Sequence, residues 1–218
     1  ALREKGEVQV AKFIVPDELV LQSQNIIAVQ LFNRNLESSD IWFNLEIRYV
    51  KPLPLAESPL VGLPGGTYDK PFTVNIYPAF PGDTFYYTLD GSDPARSPDA
   101  VKCSAATPVL IDPKSNKGRG ITPAVVLNVK TIKEGFISSP LVTNTYLFVN
   151  EVRTQGNPGG KWPVGSVNGQ ILDYEMDADI TNNVRYRDSI EASLKSLPSM
   201  MLTVDYDDLL GAAKGIYT

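Results

Sequence analysis

The feature that most constrains this chain is the length of its apolar runs. Between residues 72 and 149 they come as "FTVNIYP" (72–78), "TFYYTLD" (84–90), "PVLI" (108–111), "TPAVVLNVKTI" (122–132) and "LVTNTYLFV" (141–149). Each is strand-sized and rich in β-branched or aromatic residues, and most alternate apolar with polar positions. The breaks hold turn chemistry. "FPGD" (80–83) and "KEGF" (133–136) place glycine where the backbone needs positive φ. Long helical periodicity is rare before residue 180. The 17 prolines and 16 glycines act against long helices too, and a 43% hydrophobic share is enough to build a core. The pattern predicts an all-β fold built from short strands.

The flanks read differently. Residues 7–15 ("EVQVAKFIV"), 25–33 ("NIIAVQLFN") and 41–49 ("IWFNLEIRY") are further strand candidates, so the amino-terminal segment 1–50 is expected to be β-rich. Residues 51–63 are Pro-rich and predict a linker, because proline cannot donate within a ladder. Residues 150–180 have little periodicity and predict an irregular connector. An apolar stripe over 182–197 predicts a short amphipathic helix, with Asn183 near its start and Pro198 as its stop. "MMLTVDY" (200–206) predicts a strand, and "DDLLGAAKGIY" a turn or short helix.

Composition removes several kinds of chemistry. The chain has no histidine, which takes away the commonest general base and transition-metal ligand. Cys103 is the sole cysteine, so no internal disulfide can form, and it is expected to be a half-buried packing residue. The net charge of −5, with scattered Lys and Arg, gives no basic stripe for nucleic acid. No apolar run approaches the roughly 20 residues of a membrane span. "GNPGGKWPVG" (156–165) lacks the order and setting of a phosphate loop.

One stretch stands out chemically: "YYTLDGSDP" (86–94). Its first reading is a hairpin corner, in which Asp90 and Asp93 accept from backbone N–H groups, Gly91 takes positive φ and Pro94 fixes the exit. A second reading is calcium. Asp90, Ser92 and Asp93 supply three oxygens, with Asp99 or Asp112 as further candidates toward the six or more that calcium needs. A third is sugar stacking by the outward tyrosine of the pair, taken as Tyr87, with Tyr68 and Trp162 as further platforms. Strand alternation alone does not decide which of Tyr86 and Tyr87 faces out. A second carboxylate group, Asp173, Glu175, Asp177 and Asp179, reads as a solvated acidic loop leading toward a helix.

Several stretches resemble known families. "GGTYDKPFTVNIYPAFPGDTFYYTLDGSDP" followed by "VVLNVKTIKEGFISSPLVTNTYLF" resembles the chitobiase/β-hexosaminidase carboxyl-terminal repeat across residues 64–149. The resemblance implies an immunoglobulin-like β-sandwich. One departure is the longer "ARSPDAVKCSAA" loop after Pro94. "SQNIIAVQLFNRNLESSDIWFNLEI" is similar to the last hairpin of galactose-binding-like jelly rolls, which would make residues 1–50 the terminal strands of such a domain. "DYEMDADITNN" and the residues after it resemble the opening segment of spore coat protein H kinase-like domains, whose ATP- and metal-binding residues would lie beyond this sequence.

These resemblances imply a non-enzymatic extracellular or cell-surface module without a resident cofactor. Its partners would be copies of itself or neighbouring domains. The expected role is structural, as a spacer, an adhesion element or a filament subunit joined by strand addition. Two alternatives stand beside it: an accessory module that binds polysaccharide, and a scaffold for a downstream kinase-like domain.

Overall fold

A computed structural model describes residues 53–213 and 215–216. The expected jelly-roll strands of residues 1–50 lie outside the described residues, as do positions 51 and 52 of the Pro-rich segment.

The alternation seen in the sequence becomes strand and burial. β1 (Leu60–Val61) and β2 (Gly66–Thr67) are followed by β3 (Phe72–Tyr77), which buries Val74 and Ile76 and exposes Thr73, Asn75 and Tyr77. β4 (Phe85–Thr88) and β5 (Val101–Cys103) precede β6 (Thr107–Ile111), which buries Val109 and Ile111 between exposed Pro108 and Leu110. β7 (Ala124–Thr131) buries side chains on both faces, with Val125, Leu127 and Val129 on one and Asn128 on the other. β8 (Val142–Leu147) buries Tyr146.

These strands form two larger sheets. One is three-stranded, ordered β1-β3-β6, and the other is five-stranded, ordered β2-β8-β7-β4-β5. All their pairings are antiparallel except β2 with β8, which is parallel. The two sheets share one core of Val74, Ile76, Val109 and Ile111 against Phe85, Val125, Leu127, Val129, Tyr146 and Phe148. Fully burying one such side chain stabilises by about 1.5–3 kcal/mol, so this cluster dominates the fold's stability.

The Pro-rich segment is not a free linker in its described part. The Ala56 amide donates to the Ile137 carbonyl at 2.9 Å, and the Ile137 amide to Pro54 at 2.8 Å. β1 then pairs with Tyr77 and Ile76 of the other sheet, and β2 returns to β8. Proline is tolerated because each paired stretch is brief and lies at a sheet edge. The longer loop after Pro94 also contributes a strand, β5, which closes the β4 edge.

Beyond β8 the chain becomes an extension of small elements: α1 (Val149–Val152), β9 (Ser166–Val167), β10 (Gln170–Ile171), α2 (Ala178–Thr181), α3 (Ile190–Ser196) and α4 (Tyr206–Leu210). The helix expected over 182–197 is confined to α3. The Asn183 side chain accepts from the Arg185 amide at 2.9 Å, which holds a turn there, and Val184 is 73% exposed rather than packed. No strand forms over 200–206. Residues 200–205 carry no regular structure, and Tyr206 opens α4.

Candidate functional site

The stretch 86–94 forms a corner locked against β7. The Gly91 amide donates to the Val126 carbonyl at 3.1 Å, with Gly91 at φ +80°. The Thr88 hydroxyl donates to the Ser92 carbonyl at 2.6 Å. The amide of buried Asn128 reaches across to the Gly91 carbonyl at 2.6 Å and the Ser92 carbonyl at 3.2 Å, while its oxygen accepts from Thr143. A buried amide with three well-placed partners fixes a corner firmly, because each bond lost would leave a polar group unpaired away from water.

The two corner aspartates are already engaged. Asp90 Oδ1 accepts from both the amide and the hydroxyl of Ser92, and Oδ2 pairs with Lys161 Nζ at 3.0 Å. Burial pushes the Asp90 carboxyl up, but the bonds from Ser92 and Lys161 outweigh it and hold the group below its ordinary value. Asp93 accepts from the Ala95 amide at 2.9 Å and faces Lys130 Nζ at 3.5 Å. The further oxygen candidates serve other turns: Asp112 accepts from the Lys114 amide, and Asp99 donates its own amide to Ser97. Among the described residues no group of three or more His, Cys, Asp and Glu side chains has a metal-holding arrangement. Any cation at Asp90 and Asp93 would have to displace Lys161 and Lys130.

The three aromatic candidates are not brought together. Phe85, Tyr87 and Leu89 alternate toward the core, so Tyr87 packs inward and its hydroxyl pKa is raised by burial and then by Cys103. The outward member of the pair is Tyr86, whose ring lies 5.9 Å from Lys102 Nζ. This corrects the placement of Tyr87 as an outward stacking platform. Tyr68 packs on Phe72 at 4.4 Å and on Tyr146 at 5.6 Å, and donates to the Pro64 carbonyl. Trp162 lies in the extension, edge-on to Tyr174 and Tyr206 at 6.2 and 6.3 Å. Cys103 is half-buried on β5 opposite Phe85. The acidic run 173–179 shapes its own loop, with Asp173 accepting from Glu175 and Asp177 capping α2 through Asp179.

Arg119 is an organising residue that the sequence reading missed. Its guanidinium reaches the carbonyls of Asp112, Pro113, Ser115, Thr122 and Ala124, and the Thr122 hydroxyl, all within 2.7–3.2 Å. Burial pulls its pKa down to about 10, against the charges of Asp112 and Asp90, so it remains charged at neutral pH. No spacing rule marks such an arginine, because its partners are backbone carbonyls. A cleft of about 380 Å³ lies between the corner and outer face of the five-stranded sheet (Asp93, Asn128, Leu141, Thr143) and the extension (Thr203, Val204).

No family model, curated protein or solved structure matches the chain.

Proposed function

We infer that this chain is a non-enzymatic structural and assembly module of an extracellular or cell-surface protein. Its centre, residues 64–149, is read as an immunoglobulin-like sandwich of the chitobiase carboxyl-terminal type. The strand order, and the way residues 54–67 pass from one sheet to the other and back, support that reading. One observation carries the functional part. The side chains best suited to chemistry, Asp90, Ser92 and Asp93, are committed to holding the corner and to internal lysine pairs.

Assembly would proceed by strand addition. β6 pairs with β3 alone and β5 with β4 alone, so each presents an unpaired side among the described residues. Pro108 removes one donor from β6, which restricts the register that an added strand could take. The donor would be a strand from the segment 1–50 of a second copy, giving a heterologous contact that does not close. Light scattering with negative-stain imaging tests this. Filaments that disappear on removing residues 1–50 are expected. A full chain that stays at its monomer mass of 23.9 kDa at every concentration overturns the assembly role.

A further inference from the structure

We propose that the carboxyl-terminal extension is a releasable strap, latched across the outer face of the five-stranded sheet by the ion pairs Lys161–Asp90 and Lys195–Asp69. The pairs measure 3.0 and 2.7 Å. They join the extension to two separate points of the two-sheet module, the 86–94 corner and the turn between β2 and β3.

The extension has little of its own to hold it. Its helices run to seven residues at most, well under the roughly 12–15 at which isolated helices become even marginal. Its buried large apolar side chains past residue 150 are Ile190 and Leu210, at 8% and 6% exposure, whereas Ile171, Val184, Met200 and Leu202 are each more than 70% exposed. A segment without a core is ordered by what it docks on, and such segments open at lower free energy than the core does. Its docking contacts are polar or narrow. The Ile121 amide donates to Pro158, Thr203 meets Gly91, and Trp162 lies close to Gly120. Residues 201–205 are exposed even where they cross the sheet.

Under the strap lies a mixed floor of polar side chains and Leu141. Asp93, Asn128 and Thr143 line the cleft, and Lys130 pairs with Asp93 beside them. Opening the latch therefore uncovers this mixed floor while leaving the apolar core sealed. Lys195 also bonds Glu191 within α3, so the cation stays partnered when the strap lifts, which lowers the cost of release. Each latch pair has one largely exposed partner, Lys161 in the first and Asp69 in the second, and so responds to salt, because screening shortens to about 3 Å at 1 M.

Hydrogen exchange on the full chain tests this, comparing the native sequence with the Lys161→Gln/Lys195→Gln double variant. Peptides from 156–210 are expected to exchange roughly five- to tenfold faster in the variant, while β3 and β7 peptides keep their native rates. Sodium chloride at about 1 M should bring the native chain close to the variant. Exchanging charges at the second pair, with Asp69→Lys, Lys195→Asp and Glu191→Lys so that no like charge faces residue 195, should keep the extension as protected as in the native chain. Unchanged protection of the extension in the double variant overturns the latch. Equal acceleration of core and extension overturns the strap as a separate unit.

Discussion

The two-sheet module and the carboxyl-terminal extension are contiguous in one chain, yet order is obtained differently in each. In the module, alternating strands deliver side chains from two sheets into one cluster, and polar groups such as Asn128 and Arg119 are hydrogen-bonded around it. In the extension, short elements bury isolated apolar residues and lean on ion pairs with the module. Dependence therefore runs one way. As a strap, the extension needs the module as a floor, and the module keeps its core without the extension.

The harshest test of that asymmetry is Phe85→Ala. Phe85 is 0% exposed, between β5 and β7, and its truncation should cost about 3–5 kcal/mol. Denaturation followed by far-UV circular dichroism and by exchange of residues 156–210 should show both regions lost together. An extension that stays protected after the module unfolds would break the comparison. Arg119→Lys comes next. A lysine keeps the charge but cannot span the carbonyls on both sides of the 112–124 loop, and the loss should be about 1.5–3 kcal/mol in the chemical-denaturation midpoint. Gly91→Ala acts where the two regions meet. At φ +80° a side chain is strained by about 1–2 kcal/mol, and the added Cβ would lie 3.2 Å from Val126 and 3.3 Å from Thr203. Exchange should quicken at 200–208 before it quickens in β3.

How far the sequence revealed this depended on where the controlling contact lay. The five strands over 72–149 were legible because each carries its own alternation between turn residues. β1 and β2 were hidden, because two residues give no period and the prolines around them argue for a linker. The β9–β10 hairpin was readable and missed. Its Asn168-Gly169 turn sits at φ 50° and 81°, the positive values such a two-residue turn requires. The strand expected over 200–206 failed because a ladder needs a partner, which local composition does not supply. At the corner, residue types showed the turn, but they could not show that Lys161, 71 positions away, would occupy Asp90. They also left the choice between Tyr86 and Tyr87 open until the pairing of Phe85 with Cys103 and Thr131 set the face.

The smallest effect belongs to the module alone and is read through pH. Tyr146 is fully buried, donates to the Leu63 carbonyl at 2.8 Å, and has its pKa pushed up to about 12 by burial and then by neighbouring Tyr68. The unfolded chain ionises this phenol near its ordinary value of 10. The group's contribution is therefore complete below pH 10 and is lost as pH rises toward about 12, because the unfolded state gives up its proton first. Tyr146→Phe removes that dependence together with one hydrogen bond, at about 0.5–1.5 kcal/mol near neutral pH. The variant should start less stable and fall less steeply between pH 10 and 12, a difference read from denaturation midpoints across that window. Parallel alkaline slopes of the denaturation midpoints in the two proteins would mean that the Tyr146 hydroxyl is not held in the module's core as described.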